Sequence, residues 1–336
     1  MPLVAYSELP AFETLRLEGV EVTPPELAAQ SNLNDLRIGL LNLMPDSALR
    51  ATDRQFIRLV SAYADSANLY VYPFTVAAEY RGEAAQEHIR EYYETFENLT
   101  EKGLDALIVT GANPKHVDLA RESFWEPMID VLDWGQSNVH SILCSCLATH
   151  AVLKQYHSIE RIPLPEKRWG VYSHRLFFDD HPLLAGVESP IDAPHSHLYD
   201  VSRTTMESAG LHVLAESEEA GVHMATSGDD FSFVFFQGHP EYDGISLLKE
   251  YKREVGRFVA GERSEYPPYP EHYFDSAAIT TLDDYKQRVL AACTDNREAP
   301  VFPEAAVARG RDNTWTKAGQ RIYANWLAEV KQRVEL

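Results

Sequence analysis

Short apolar runs alternate with amphipathic segments along most of the chain. The predicted strands are residues 36–43, 69–72, 104–109, the run that ends at Cys146, 211–215, 221–225 and 231–237. A first helix is predicted with Thr52 as its N-cap. Further helices are predicted over residues 87–96, 124–132, 246–259, 282–292 and from Trp315 to Val330. Such alternation is typical of an α/β protein in which helices cover both faces of a mostly parallel sheet.

The same pattern divides the chain into three parts. Residues 1–35 are mixed and polar, and we expect an N-terminal arm there. Residues 36–260 hold the strand and helix alternation and form the expected catalytic domain. Residues 261–336 form a C-terminal helical extension that packs on this core, and the apolar face of its last helix suits docking on the core or on a second subunit.

Composition is ordinary for a globular protein, whereas the charge excludes some partners. The 336 residues are 45% hydrophobic and 24% charged, and their formal net charge is −21. A nucleic-acid partner is therefore not expected, because phosphate binding needs a basic surface. We expect no membrane span, no signal peptide and no disulfide framework from only three cysteines, so the expected location is the cytoplasm. No CxxC or HExxH motif occurs, so no metal site is predicted.

The first candidate for chemistry is a cysteine at a predicted strand-to-helix turn. Cys146 ends the apolar run 139–146, and a helix is expected to follow. The N–H groups of a helix start lower the pKa of a thiol and can stabilise an oxyanion, so the backbone N–H of Leu147 is the natural oxyanion donor. Cys144 is the rival nucleophile, but we expect it inside the strand.

The second candidate is the segment Gly238-His239-Pro240-Glu241, which follows the apolar run 231–237. Taken alone, its glycine and proline could mark a purely structural turn. A carboxylate near a histidine, however, fixes the imidazole tautomer and raises its basicity. Sites in parallel sheets collect at the carboxyl ends of strands, so Cys146 and His239 could meet there. Cys146, His239 and Glu241 would then form a triad for acyl transfer through a thioester.

Several segments, in order along the chain, resemble one known family. The main ones are Leu41-Asn42-Leu43-Met44-Pro45, Thr52-Asp53-Arg54-Gln55, Thr110-Gly111-Ala112, Pro194-His195-Ser196, Gly238-His239-Pro240-Glu241-Tyr242-Asp243, Glu250-Tyr251-Lys252-Arg253 and Asn325-Trp326-Leu327. They are similar to the homoserine O-acyltransferases, which make O-succinyl- or O-acetylhomoserine for methionine synthesis. The resemblance implies a class I glutamine-amidotransferase-like fold, a flavodoxin-like three-layer arrangement.

The resemblance also implies roles for individual residues. The family's catalytic cysteine, histidine and glutamate fall on Cys146, His239 and Glu241. Its homoserine-binding arginine falls on Arg253, and a guanidinium can hold a carboxylate bidentately. Substrate contacts are expected at Lys167 and Ser196. The implied substrates are an acyl-CoA and L-homoserine, with no bound cofactor, and the implied assembly is a homodimer.

The chain departs from the family pattern at positions that bear on the acyl donor. A glycine after the Thr-Gly-Ala-Pro loop goes with succinyl transfer and a glutamate with acetyl transfer, whereas this chain has Lys115. A cation there would attract the free carboxylate of a succinyl group, so succinyl-CoA is favoured over acetyl-CoA. Leu147 replaces a tryptophan, His197 replaces an arginine, and the loop after Pro45 is about two residues longer.

Homoserine O-succinyl transfer is thus the predicted function, and three alternatives stay open. Within the family, the donor could be acetyl-CoA or the acceptor serine. A glutamine-amidotransferase-type hydrolase shares the implied fold and a Cys-His-Glu triad. A non-catalytic binding protein of the same fold is the third alternative.

Overall fold

The computed structural model describes residues 3–63, 67–178, 180–229, 231–308 and 313–335. Its strands are Leu3–Val4 (β1), Val22–Thr23 (β2), Asn34–Leu41 (β3), Ala67–Phe74 (β4), Ala106–Val109 (β5), Ser141–Ser145 (β6), Ile162–Leu176 (β7), Ile191–Asp200 (β8), His212–Ser217 (β9), Gly221–Thr226 (β10) and Phe233–Phe236 (β11). Short 3-10 turns occur at Ala78–Tyr80, Leu119–Arg121 and Pro182–Leu184.

The helices are Pro10–Leu17 (α1), Pro25–Ala28 (α2), Leu49–Val60 (α3), Glu83–Tyr92 (α4), Phe96–Lys102 (α5), Trp125–Asn138 (α6), Leu147–His157 (α7), Arg203–Ser208 (α8), Ser246–Val259 (α9), Ser276–Thr294 (α10), Glu304–Val307 (α11) and Thr316–Val334 (α12). Among the helices of these described segments, none combines the length and the apolar composition needed to cross a bilayer.

All the strands join one sheet in the order β2-β1-β4-β3-β5-β6-β11-β10-β9-β7-β8. Neighbouring strands from β2 to β11 are parallel. From β11 to β8 the neighbours are antiparallel. The predicted α/β class, with helices on a mostly parallel sheet, is confirmed.

Each face of the parallel half carries its own apolar core. Alternate residues of a strand point to opposite faces, as Leu40 and Leu41 of β3 do. Leu40 belongs to a core with side chains of α1, α3 and α12, and Leu41 to a core with side chains of α5, α6, α7 and α8. A third cluster joins α9, α10 and α11 to Trp169 and Val171 of β7.

The N- and C-terminal parts both contribute to the first of these cores. The first 35 residues supply β1 and β2 at one edge of the sheet, and Phe12 and Leu15 of α1 are fully buried. At the other end of the chain, Trp326 of α12 is fully buried and its indole N–H donates to Ser141 Oγ at 2.8 Å. The apolar face of the last helix therefore docks on the core. The domain boundaries themselves stay a prediction.

Some predicted elements were wrong in detail. Thr52 lies inside α3, which begins at Leu49 after the N-cap Ala48, so Thr52 does not cap the helix. The single helix predicted over residues 87–96 is two helices, because α4 ends at Tyr92 and α5 starts at Phe96. The long β7 and β8 pair was missed. The first part of β7 is largely exposed and carries prolines and charges, so it lacks an apolar run.

Replacing Trp326 with alanine should destabilise the whole chain. The substitution leaves a large cavity and removes the hydrogen bond to Ser141, and buried Trp→Ala changes cost about 3–5 kcal/mol. We expect a loss of that size in the free energy of unfolding, measured by urea denaturation. Leu17→Ala is the control: Leu17 is 84% exposed, so its change should stay within about 0.5 kcal/mol. Equal effects of the two substitutions would contradict the packing of α12.

Candidate active site

Cys146 occupies a strained turn between β6 and α7. Its backbone angles are φ 51° and ψ −107°, a conformation that residues other than glycine rarely adopt. The Cys146 N–H donates to the carbonyl oxygen of Phe236 at 2.6 Å, which ties the turn to the end of β11. A sharp strand-to-helix turn of this kind presents a nucleophile at the carboxyl edge of the sheet.

The surroundings of this turn offer backbone donors for an oxyanion. Leu147 is the first residue of α7, where a backbone N–H has no acceptor within its own helix. Gly111 lies against the nucleophile from the loop after β5, since a Cβ added there would sit 3.4 Å from Cys146 Cβ. The loop after β5 therefore reaches the same edge of the sheet as Cys146. The role of Leu147 as an oxyanion donor stays a prediction.

The rival cysteine lies in a very different environment. Cys144 is fully buried in β6, and burial raises the pKa of its thiol well above the usual range. Cys146 is only half-buried at the edge of the sheet. The thiolate is the reactive form of cysteine, so this contrast favours Cys146 as the nucleophile.

His239 sits between the nucleophile and a carboxylate. Its Nδ1 lies 2.8 Å from Glu241 Oε1, and its side chain also hydrogen-bonds Cys146. Its backbone N–H donates to the carbonyl oxygen of Pro194 at 2.7 Å, so β8 fixes the loop. Burial acts to lower the pKa of His239, but Glu241 and the hydrogen bond to Cys146 raise it well above its ordinary value. The structure therefore brings all three predicted triad residues together.

A pair of arginines on α3 holds the loop that carries the triad. Arg58 donates to the carbonyl oxygen of Glu241 at 3.0 Å and to Asp243 Oδ1 at 2.5 Å, and Arg54 also pairs with Asp243. Burial acts to raise the pKa of Asp243, but Arg58 and Arg54 lower it below its usual value. The charged Asp243 is thus stable at neutral pH, and the loop stays clamped to the helix.

Glu250 of α9 connects two predicted substrate residues to the triad. Its carboxylate accepts from Ser196 Oγ at 2.7 Å, from Lys167 Nζ at 3.1 Å and from the Tyr242 hydroxyl at 2.8 Å. The Tyr242 ring stacks on His239 with centroids 4.3 Å apart. Burial acts to raise the pKa of Glu250, but Lys167 and the hydroxyl donors lower it. Lys167 and Ser196 therefore lie beside the triad through shared partners.

Glu250 and Tyr242 were not predicted as site residues. Both fall inside stretches that resemble the family, so a signal was present. Their role in the site was not evident from the sequence, because a glutamate on a helix and a tyrosine in a loop are most often surface residues. Only the packing of α9 against β7 and β8 gives these two side chains a role.

Two other predicted residues are more loosely placed. Arg253 follows Glu250 by one helical turn, and its side chain is 54% exposed beside Glu254. Lys115 is exposed in the loop after β5, and its backbone N–H donates to Glu122 Oε1 at 2.6 Å. The structure records no contact of either side chain with the triad in the described residues. Both remain predictions.

Arg161 is a cation near the nucleophile that the sequence did not single out. Its guanidinium lies 3.8 Å from the centre of the Tyr199 ring and donates to the carbonyl oxygen of Val117 at 2.9 Å. Burial lowers the pKa of Arg161, and Tyr199 and Cys146 act to raise it. Arg161 thus ties the loop containing Lys115 to the neighbourhood of Cys146.

Potential metal ligands gather in two places within the described segments. His174, His195 and His223 are buried, and Glu219, Glu271 and His272 are exposed; in each group the ligand atoms lie within 4.8 Å of one another. Neither group contains a member of the triad. Exposed acidic groups commonly occur without a metal, so the buried histidines are the group of interest.

The fold and the site together define an α/β protein with a Cys-His-Glu triad suited to acyl transfer through a thioester. Residues 2–336 match the family model described as homoserine O-succinyltransferase. The chain therefore belongs to the homoserine O-succinyltransferase family, as the resemblance predicted.

Individual relatives agree with this assignment over nearly the whole chain. The homoserine O-succinyltransferase of Methylococcus capsulatus is 50% identical over 332 residues, which cover 99% of this chain and 94% of that protein. The enzyme of the same name from Thioalkalivibrio nitratireducens is 51% identical and covers 99% and 93%. Among solved structures, a glutamine amidotransferase from Thermotoga maritima matches with a TM-score of 0.46 and 11% identity, covering 88% of this chain and 98% of that chain.

Replacing Glu241 with glutamine should lower the pKa of His239. The carboxylate is the main group that raises this pKa, and burial, which lowers it, would then dominate. We expect nitrogen NMR titration to place the wild-type pKa above the ordinary range of a histidine and that of Glu241→Gln clearly lower. Glu219→Gln, which removes a surface carboxylate paired with His272, is the matched control and should leave His239 unmoved. An unchanged pKa in Glu241→Gln would contradict the pairing.

Proposed function

We propose that the chain transfers the succinyl group of succinyl-CoA to the γ-hydroxyl of L-homoserine through a thioester on Cys146. The observation that carries this proposal is the line from Cys146 through His239 to Glu241 at the edge of the sheet. Membership of the homoserine O-succinyltransferase family supports the choice of substrates.

In the first half-reaction, the Cys146 thiolate attacks the carbonyl carbon of the thioester. The negative charge on the tetrahedral oxygen is stabilised by backbone N–H groups, for which Leu147 and Gly111 are the candidates. The bond to the sulfur of coenzyme A then breaks. The proton that His239 accepted from Cys146 passes to the departing thiolate, and succinyl-Cys146 remains.

In the second half-reaction, neutral His239 removes the proton of the homoserine hydroxyl as its oxygen attacks succinyl-Cys146. The bond to the cysteine sulfur breaks, and O-succinylhomoserine leaves. Glu241 keeps the Nδ1 proton in place and stabilises the imidazolium that forms. General-base assistance of this kind contributes about 10²- to 10⁴-fold to a rate.

The acceptor must be oriented as well as activated. Arg253 has a largely exposed guanidinium that can receive the carboxylate of homoserine through two parallel hydrogen bonds. Lys167 and Ser196 both donate hydrogen bonds to Glu250. Their polar groups lie near His239 and suit the polar atoms of an amino acid. The family resemblance implies these roles for all three residues.

The positions of two cations support the proposal that the acyl donor has a free carboxylate. Lys115 lies in the loop after β5, and Arg161 holds the same loop through the carbonyl oxygen of Val117. A chain with a net charge of −21 repels anions in general, so local cations are needed to attract succinyl-CoA. Acetyl-CoA, which has no such carboxylate, would gain nothing from them.

The alternatives make different products, so one assay separates them. A glutamine-amidotransferase-type hydrolase would release ammonia from glutamine without consuming an acyl-CoA, and a binding protein would release nothing. Acetyl-CoA and succinyl-CoA tested against homoserine and serine identify the preferred pair. We expect succinyl-CoA with homoserine to give the highest kcat/KM.

The assembly and location remain parts of this proposal. A homodimer is supported by the family resemblance, but no longer by the apolar face of α12, since that face packs on the core. A cytoplasmic location is supported by the biosynthetic role of the family. Light scattering of the purified chain measures the assembly directly.

Cys146→Ala should abolish formation of O-succinylhomoserine while the chain stays folded. The substitution removes the attacking sulfur, and Cys146 is not part of either apolar core. Cys144→Ala is the matched control, because its buried thiol has a raised pKa and takes no part in the reaction. We expect the control to keep most of its kcat, measured by coenzyme A release. Substantial turnover by Cys146→Ala would rule out the mechanism.

Lys115→Glu should reduce kcat/KM for succinyl-CoA more than for acetyl-CoA, because a carboxylate there repels the succinyl group. Arg161→Gln tests the second cation in the same way. Lys317→Glu, an exposed change of equal charge on α12, is the control and should affect both donors alike. Equal losses for the two donors in Lys115→Glu would show that Lys115 does not recognise the free carboxylate of the succinyl group.

A further inference from the structure

Three buried histidines from three different strands converge behind the loop that carries His239. They are His174 of β7, His195 of β8 and His223 of β10, each at most 2% exposed. One ring nitrogen from each lies within 4.8 Å of the other two. None of them is part of the triad, and the proposed reaction does not use them.

Gly238 makes room for this convergence. A Cβ added to Gly238 would lie 2.7 Å from His223 Nδ1, 2.8 Å from His195 Nε2 and 2.9 Å from the carbonyl oxygen of Pro194. A larger residue would therefore collide with the ring nitrogens. The space in front of these nitrogens borders the backbone directly before His239.

The hydrogen bonds fix which nitrogens carry protons. His197 Nδ1 lies 2.7 Å from the carbonyl oxygen of Tyr199, so it must donate, and His197 Nε2 is left as an acceptor. His195 Nδ1 lies 2.9 Å from that atom and donates to it. The neutral His195 ring then has a bare lone pair on Nε2, aimed into the cluster.

Within the cluster, two of the three facing nitrogens share one hydrogen bond. His174 Nε2 lies 3.0 Å from His195 Nε2 and donates to it. His223 Nδ1 is buried without any hydrogen-bond partner in the described residues. A buried polar atom without a partner is unfavourable, whereas a cation that accepts the lone pairs of the three facing nitrogens would give each of them a partner.

We propose that His174, His195 and His223 bind one divalent transition-metal ion, of which Zn²⁺ is the best match. Imidazole nitrogens suit zinc, and metal–nitrogen bonds of about 2.0–2.1 Å require only modest closing of the cluster. Binding requires a bare lone pair on His174 Nε2, so the His174 proton would move to Nδ1, which has no hydrogen-bond partner in the described residues. The Pro194 carbonyl oxygen or a water supplies the fourth position.

The contacts around His195 resemble the outer ligands of known metal sites. A metal-bound histidine usually donates its other N–H to an acceptor that fixes the ring. His195 donates in this way to His197 Nε2, and His197 in turn donates to the Tyr199 carbonyl oxygen. The ion would be structural, because none of its three ligands belongs to the triad. This proposal departs from the sequence-based expectation of no metal. Ligands that come from separate strands leave no spacing motif.

The test must separate this site from the triad, since Cys146 and His239 could also bind zinc. We therefore use the full chain with Cys146→Ala, freed of metal by chelation and equilibrated with Zn²⁺. Metal analysis after gel filtration should find one zinc per chain. Adding His223→Leu should weaken binding at least tenfold, and His197→Phe about 10- to 100-fold, as for outer-ligand changes. His140→Gln, which removes an exposed histidine, is the control and should leave affinity unchanged.

Cobalt provides a readout that does not depend on the variants folding. Co²⁺ added to the Cys146→Ala chain should give the visible bands of a tetrahedral histidine site, without a thiolate charge-transfer band. Retention of no metal by this chain, or equal retention after His223→Leu, would overturn the proposal. So would the absence of cobalt bands in the folded Cys146→Ala chain.

Discussion

The pairing of β6 with β11 is the constraint on which the site depends. The two strands run in parallel with Ser145 opposite Phe236, and the hydrogen bond from Cys146 N–H to the Phe236 carbonyl extends this pairing past the end of β6. It holds Cys146 in its strained conformation and fixes the distance to the loop that starts at Gln237. A shift of one residue in this register would turn Cys146 and His239 away from each other.

Charged and polar contacts then fix the position of the loop after β11. The loop after β11 carries Glu241 and Asp243, and it is anchored on one side by arginines of α3 and on the other by the Pro194 carbonyl. His239 is buried yet favours its protonated form because Glu241 lies 2.8 Å away. A residue that must accept and return a proton is thus held in one orientation by groups outside the reaction.

The sequence predicted the triad because its members follow apolar runs, and strand ends are visible in a single chain. It separated Cys146 from Cys144 for the same reason. It did not predict the roles of Glu250, Tyr242 or the histidine cluster, because these depend on which strands and helices become neighbours. The β7 and β8 pair was missed because half of β7 is exposed and lacks an apolar run. Pairing partners and register are long-range properties that local periodicity does not encode.

In the proposed reaction, the acyl group passes through Cys146. The most direct measurement is intact-protein and peptide mass spectrometry of the wild-type chain after mixing with succinyl-CoA in the absence of an acceptor. We expect one succinyl group per chain, located on Cys146 and discharged as O-succinylhomoserine when L-homoserine is added. Rapid product formation without any adduct on Cys146, or an adduct that homoserine does not discharge, would contradict it.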